Sequence, residues 1–398
     1  MTVGVRPGGG PGDGLQDWQA GGFGLYLHWP YCVSKCPYCD FNSHVATSVD
    51  HAAWARAYVS EIRRLAAETP DRRLKTIYFG GGTPSLMLPE TVAEVITAAL
   101  ACWTPANDIE ITLEANPGSV EVGRFRAFRA AGVNRVSLGV QALNDRDLQR
   151  LGRAHDVGAA RRALDVARET FDRVSFDLIY ARQDQSRGDW ARELADALRL
   201  QPDHLSLYQL TIEDGTVFGR RLAAGQLHGL PGEDLSADMY LDTLEACELA
   251  GLMAYEVSNY ARPGQESRHN LIYWQSGDYL GVGPGAHGRL TLDDTRHATT
   301  CPLAPAAWLD RINRLGSGET PREALTGEDR ATEFLLMGLR IREGIDLARH
   351  ARLGGQPLRQ DRLDELIAMG LLQCCGTQLY ATTRGRMVLN QVLARLLA

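Results

Sequence analysis

The sequence predicts an α/β chain: a partial (β/α)6 barrel followed by a helical C-terminal domain. Three observations carry this. Short β-branched or apolar runs alternate with helically spaced segments over the first half of the chain, polar and Gly-rich residues gather where those runs end, and beyond about residue 300 helices take over.

The strand candidates are GLYLHW (24–29), KTIYFG (75–80), IEITLEA (109–115), RVSLGV (135–140), RVSFDLIY (173–180) and HLSLYQL (204–210). Between them the apolar residues recur at helical spacing, as in Trp54, Tyr58, Ile62 and Leu65, then Val92, Val95, Ile96 and Leu100. Strands alternating with helices form right-handed βαβ units and a parallel sheet. Six units suit an open, TIM-like barrel, whose ligands sit at the C-terminal ends of the strands. The polar features fall there: three cysteines after the first strand, GGGTPS after the second, EANPG, GVQ, and Asp177 late in the fifth.

Residues 1–21, rich in Gly and Pro and without hydrophobic period, read as a flexible tail. The barrel domain with an extension is expected over 22–300 and the C-terminal domain over 301–398. In the latter, a helix around Ala331 to Leu339, LDELIAMGLL, a short hairpin at QLYATT and a final helix over RGRMVLNQVLARLL follow the order of a winged-helix unit. The last helix carries no basic stripe, which favours a packing or protein-contact role over DNA binding.

A chain of 398 residues, 44% hydrophobic and 23% charged, buries a large core without staples. Its net charge of -7 argues against nucleic acid as the main partner. No apolar run approaches the ~20 residues of a membrane span, and the N-terminus lacks signal-peptide regions, so the expected setting is cytoplasmic. Peripheral membrane association and homodimerisation are compatible with the sequence and not demanded by it.

Of the eight cysteines, only Cys32, Cys36 and Cys39 cluster. In a reducing compartment that pattern favours metal binding, and the others read as small core hydrophobes. The spacing C-x3-C-x2-C lets three thiolates hold three corners of a cuboidal cluster. Since a [4Fe-4S] cluster normally takes four, one iron stays open for chemistry. The alternative is a structural zinc ion completed by His28 or His44.

These features resemble the radical S-adenosylmethionine (SAM) superfamily. YLHWPYC, YFGGGTPS, LEANPG, RVSLGVQ, LGRAH, FDLIY, HLSLYQLTIEDGT, YEVSNYARPG, HNLIYW and YLGVGPGAHG together resemble the oxygen-independent coproporphyrinogen III oxidase family from about residue 22 to the C-terminus. Phe41 stands where the oxidases carry a fourth cysteine, the segment before the first strand is only a Gly/Pro-rich tail, and HNLIYW matches an H-N-x-x-Y-W signature. These point to the HemW branch of haem chaperones.

The resemblance implies a [4Fe-4S] cluster on Cys32, Cys36 and Cys39, with SAM chelating the open iron. It implies SAM contacts from Tyr26 and Tyr38, from Gly81, Gly82 and Thr83 in a loop whose glycines let backbone approach the cofactor, and from Glu114, Gln141, Arg153 and Asp177. It implies haem as cargo, haem-accepting proteins, respiratory ones included, as partners, and His269 as axial ligand with Tyr273 and Trp274 as flat faces. On the residues alone, His269 reads equally as a hydrogen-bonded core histidine, and His28, His155 and His287 as satisfied structural groups. No catalytic residue is assigned. The alternatives are a coproporphyrinogen III oxidase and a regulatory binding module. One departure stands out: relatives follow the fifth strand with a Gly-Leu-Pro turn, where this chain has ARQDQ (181–185).

Overall fold

The computed structural model describes residues 16–120 and 122–398. Six parallel strands build the barrel: β1 (Phe23–Trp29), β2 (Arg73–Gly81), β3 (Thr104–Ala115), β4 (Arg135–Gln141), β5 (Arg173–Tyr180) and β6 (His204–Gln209). They pair in chain order, each with the next. Helices α1 (His51–Glu68), α2 (Pro89–Cys102), α3 (Val122–Ala130), α4 (Val157–Thr170), α5 (Arg187–Arg199) and α6 (Glu233–Leu249) cover the outside. Helix α1 begins where the Asp50 carboxylate accepts from Ala53 N at 3.0 Å, and it buries Trp54, Tyr58, Ile62 and Leu65 as its spacing predicts.

The strands alternate in an unusual sense. One face of each is aliphatic or aromatic, such as Leu25, Leu27, Ile77, Phe79, Ile111 and Leu113, and packs beneath the helices. The other face points into the barrel and is polar. In register across the sheet it presents Thr76, Tyr78, Thr112, Glu114, Arg135, Ser137, Ser175, Asp177 and Ser206. These groups satisfy one another: Arg135 Nη2 donates to Ser175 Oγ at 2.9 Å, Ser175 Oγ to Ser137 Oγ at 2.9 Å, and Ser137 Oγ to Asp177 Oδ1 at 3.3 Å. Buried polar groups are tolerated only when paired in this way.

The sheet extends beyond the six strands on both sides. Past β6 lie β7 (Met253–Ala254) and β8 (Asn259–Ala261). A short helix, α7 (Arg268–Trp274), leads to β9 (Asp278–Val282), which runs parallel to β1, followed by antiparallel β10 (His287–Leu292) and β11 (Thr295–Thr300). Helix α8 (Pro305–Leu315) packs Trp308 on Trp54 at 5.4 Å, and β12 (Glu323–Ala324) pairs with β11. Residues 301–324 therefore belong with the barrel, and the break between the two cores falls between Ile312 and Ala331, beyond the boundary expected at 300.

The C-terminal domain contains α9 (Gly327–Gly338), β13 (Ile345–Asp346), α10 (Leu347–Arg352), α11 (Gln360–Ala368), the hairpin β14 (Leu372–Cys375) and β15 (Gln378–Ala381), and α12 (Leu389–Leu397). The single last helix expected over 384–397 is broken at Val388, which leaves the helical region at φ -122° and ψ 32°. The tail expected over 1–21 lies outside the described residues as far as 15. Its remainder is structured: Asp17–Ala20 form a 3-10 turn, and Asp17 is held by Arg349 at 2.8 Å.

The ARQDQ departure is also resolved. Ala181 and Asp184 adopt left-handed backbone at φ 57° and 55°, and the turn is filled by the buried Arg182 guanidinium. It pairs with Asp147 at 2.8 Å and with Glu193, which makes this an ion-paired turn.

Asp278 is fully buried between Arg72 at 2.6 Å and Arg296 at 3.1 Å, where it also accepts from Thr291 Oγ1 at 3.0 Å. Arg72 in turn lies over the Trp18 ring at 4.1 Å. Asp278→Ala leaves two buried guanidiniums without a counter-charge, so a loss of about 3–5 kcal/mol is expected in urea unfolding at neutral pH. A loss below about 1 kcal/mol would show the cluster to be solvated.

Candidate functional site

The cysteine loop leaves the C-terminal end of β1 and is fixed at both ends. His44 N donates to Pro30 O at 2.7 Å, and Asn42 Nδ2 donates to Pro284 O and Leu303 O, each at 2.9 Å. All three cysteines are half-buried and unpaired. Burial raises the Cys32 and Cys39 thiols, Thr83 Oγ1 donates to Cys32 Sγ at 3.3 Å, and Arg153 Nη1 reaches Cys36 Sγ at 3.5 Å. The neighbouring thiols add to the rise, Cys39 and Cys36 at Cys32 and Cys36 at Cys39.

Among the described residues, no three His, Cys, Asp or Glu side chains close on one point as a single ion requires. The zinc alternative finds no fourth ligand either. His28 uses both ring nitrogens, on Tyr26 Oη at 3.0 Å and Asn42 O at 2.9 Å, while His44 Nε2 is turned to Asn42 Oδ1 at 3.1 Å. Three thiols disposed around a shared space suit a larger polynuclear centre.

The expected glycines lie directly against this loop. Gly82 N donates to Trp29 O at 2.7 Å, and a Cβ on Gly82 would stand 2.7 Å from Tyr31 O. Gly81, at φ +109°, would drive its Cβ into the His28 ring at 2.6 Å. Glycine is needed so that the β2 loop can lie directly against the cysteine loop.

Around the mouth, Glu114 Oε1 accepts from Tyr78 Oη at 2.7 Å and Oε2 from Gly81 N at 3.2 Å. Burial above all, with the Asp177 charge beside it, lifts the Glu114 carboxyl to about 7. Burial also raises Asp177 to about 6, against the hydrogen bonds of Ser206 and Ser137 and the charge of Arg135. Gln141 ends β4 in left-handed backbone at φ 74°, at a register break in the pairing with β5. Strain of that kind in a non-glycine residue marks functional sites. Arg153 Nη2 donates to Gly139 O at 2.9 Å, while its buried Nε has no partner among the described residues.

Tyr38 packs against Leu148, Leu151 and Ile179 beside Arg153, within reach of the Cys36 and Cys39 charges. Tyr26 does not flank the cysteines but lies inside the barrel, stacked on Tyr78 at 6.1 Å. The loop, the β2 glycines and the Glu114, Gln141, Arg153 and Asp177 side chains thus share one end of the barrel. An orphaned guanidinium nitrogen and two carboxyls held above their usual range fit a zwitterion with a carboxylate, an ammonium and ribose hydroxyls. Tyr78, Ser137, Ser206 and Arg135 complete the site and were not singled out in the sequence, although their alternation within the strands was visible.

His269 stands away from the cysteine loop, against β1 and β2. It lies at the opposite, N-terminal end of the strands and is 1% exposed. Its Nδ1 meets Thr76 Oγ1 and its Nε2 meets Tyr273 Oη, both at 2.6 Å. Burial and the Arg135 charge push its pKa down to about 3. Both ring nitrogens are engaged inside the protein, as in a hydrogen-bonded core histidine, and a haem ligand at this position would first have to leave these two bonds. His155 likewise bonds Val140 O at 3.1 Å, whereas His287 is exposed.

Comparison with known proteins agrees with this arrangement. Residues 26–197 match the Radical SAM superfamily and residues 325–388 the HemN C-terminal domain. Coproporphyrinogen III oxidase HemN from Escherichia coli, described as a radical SAM enzyme, superposes with a TM-score of 0.79 over 95% of this chain and 92% of its own, at 22% identity. The fold and the site define a radical SAM protein, a class whose cofactors are SAM and a [4Fe-4S] cluster. Among curated relatives, the haem chaperone HemW of Escherichia coli is 38% identical over 94% of this chain and 98% of its own. Radical S-adenosyl methionine domain-containing protein 1 of Bos taurus mitochondria is 42% identical over 94% and 87%. The chain belongs to the HemW family of radical SAM proteins.

Two outcomes test the site. Gly82→Ala places a methyl against the Tyr31 carbonyl, so iron and sulfide per chain after anaerobic reconstitution should fall below wild type with the circular dichroism unchanged. For pH, a carboxyl whose folded pKa stands above its unfolded value binds more protons when folded. Its stabilising effect is complete below about 4.5 and is lost as pH rises to about 7. The Glu114→Gln chain without SAM should therefore lose less thermal stability than wild type across that window, measured by parallel melts.

Proposed function

We propose that this chain binds haem together with a SAM-ligated [4Fe-4S] cluster and delivers haem to acceptor proteins, respiratory ones among them. The observation that carries this reading is the near end-to-end similarity to a protein named as a haem chaperone. Haem chaperones of Mycobacterium tuberculosis and Haemophilus influenzae add to it, at 37% and 33% identity.

Cys32, Cys36 and Cys39 would hold the cluster. Arg153 would meet the SAM carboxylate, Glu114 and Asp177 its ammonium or ribose hydroxyls, and Tyr26, Tyr38, Gln141, Gly81, Gly82 and Thr83 would shape the cavity. The chemistry that SAM and a reduced cluster supply is cleavage to a 5′-deoxyadenosyl radical. This chain's residues contribute position: Arg153 ties the cysteine loop to β4, and Thr83 ties it to the β2 loop.

Phe41, the position at which the oxidases have a cysteine, is 59% exposed, beside Val33 at 73% and Val45 at 59%. An exposed apolar group on the cysteine loop gives a porphyrin face something to lie against, which His269 does not. Unpaired thiols throughout support a cytoplasmic setting. No helix among the described residues is long and apolar enough to cross a membrane.

A second reading, oxidative decarboxylation of coproporphyrinogen III, is favoured by the complete set of polar groups at the barrel mouth. Parallel assays on anaerobically reconstituted protein separate the two. The chaperone reading expects stoichiometric haem binding by Soret titration, transfer to an apo-acceptor, and no divinyl product. Turnover of coproporphyrinogen III would replace it with the enzyme. Cys36→Ala should abolish the cluster absorbance, and an intact cluster in that variant would refute the cysteine assignment.

A further inference from the structure

The H-N-x-x-Y-W segment has a place in the barrel that explains its composition. Helix α7 closes the N-terminal end of the barrel. Its first backbone N–H groups, those of Arg268 and His269, donate to the buried Glu110 carboxylate at 3.2 and 3.1 Å, and Arg173 holds the same carboxylate at 2.6 Å. The helix sits hard against β1, where a Cβ on Gly24 would stand 2.9 Å from Ile272 and 3.3 Å from His269 Nδ1.

From this floor the His269 ring faces upward. Thr76 and Tyr273 pin its two nitrogens, so its plane is fixed. Its face carries the Tyr78 ring at 4.9 Å and an interplanar angle of 20°. Tyr26 stands beside both rings, 6.1 Å from Tyr78 and 6.3 Å from His269. Tyr78 thus packs against two rings at once, and its hydroxyl donates to Glu114 Oε1 at 2.7 Å. The second carboxylate oxygen is taken by Gly81 N, in the loop that lies against the cysteines.

We propose that Tyr78, clamped by the His269 ring, is a positioning residue that aims the Glu114 carboxylate at SAM. This rests on the reading that SAM occupies the C-terminal end of the barrel. A donated phenolic hydrogen bond stabilises the ionised carboxylate, the form that accepts from an ammonium or a ribose hydroxyl. The other groups facing Glu114 are Asp177, whose charge opposes ionisation, Arg135, whose charge favours it, and the neutral phenols of Tyr26, Tyr208 and Tyr273. Without the Tyr78 hydroxyl, Glu114 titrates higher and is free to turn.

The test is equilibrium SAM binding to the anaerobically reconstituted full chain, measured from pH 6 to 9 in wild type, Tyr78→Phe, His269→Ala, His269→Phe and Glu114→Gln. Cluster absorbance and haem titration are recorded on each sample. Tyr78→Phe keeps the ring contacts with His269 and Tyr26 and removes one hydrogen bond to a charged group, so SAM affinity should fall about tenfold near pH 7. The pH midpoint of binding should also move upward, with the cluster intact. His269→Ala should weaken SAM binding similarly while haem affinity stays at the wild-type value, and His269→Phe, which restores a flat face under Tyr78, should recover part of it.

SAM affinity within twofold of wild type and an unmoved midpoint in Tyr78→Phe would overturn the proposal, as would a selective loss of haem in His269→Ala. If Tyr78→Phe does not accumulate folded, the comparison of the two His269 variants decides alone. If Glu114→Gln binds SAM as wild type does, the placement of SAM itself fails and the inference falls with it; a defect in Glu114→Gln without one in Tyr78→Phe defeats only the inference.

Discussion

The Glu110 carboxylate is the interaction on which the rest of the barrel depends. It is buried, and alone it would be prohibitive there. It is tolerated because Arg173 and two backbone N–H groups of α7 meet it from different elements. One carboxylate on β3 therefore joins β5 to the helix that closes the barrel floor. It sets where His269 stands, hence where Tyr78 and Glu114 stand above it. A barrel with an aliphatic interior could be built from packing alone. This one is polar inside, and its geometry is defined by hydrogen bonds whose partners are distant in sequence.

The two ends of the barrel divide the labour. At the floor Glu110 and both ring nitrogens of His269 are paired within the protein, which gives rigidity. At the mouth the accounting is left incomplete: Arg153 Nε lacks a partner, Gln141 is strained, and Glu114 and Asp177 sit above their ordinary range. A site that awaits a polar, zwitterionic ligand is left open in that way. The cysteine loop inherits its position from both β1 and the β9 to α8 segment through Asn42, so the loop is as fixed as the sheet despite having almost no regular secondary structure.

Much of this was legible in the sequence, for physical reasons. Five of the six barrel strands were found to within about two residues of their ends because each is a largely apolar run flanked by helices of clear periodicity, whereas β3 begins earlier than expected, at Thr104. The cysteine spacing fixed the loop's role without help from the fold. The outer strands β7 to β12 escaped because they are short, and a few polar residues paired on one side carry no readable alternation. The place of His269 at the floor was not legible, because a motif shows which residues are neighbours along a helix and not which end of a barrel the helix closes. Tyr78 was inside a quoted motif and passed as strand. Its role depends on a face that register alone defines, and a one-residue slip would have pointed it at α1 or α2 instead.

The contact between Asp17 and Arg349 spans 332 residues. Arg349 also lies over the Phe334 ring at 4.5 Å and donates to Gln275 O, at the end of α7, at 3.1 Å. Loop-closure entropy makes so distant a contact late to form, after both cores have condensed. The segment just before β1 thus acts as a clasp, joining the barrel floor and the C-terminal domain in a single guanidinium. Opening and closing of that clasp would be a local event, with its own exchange rate, uncoupled from unfolding of either core.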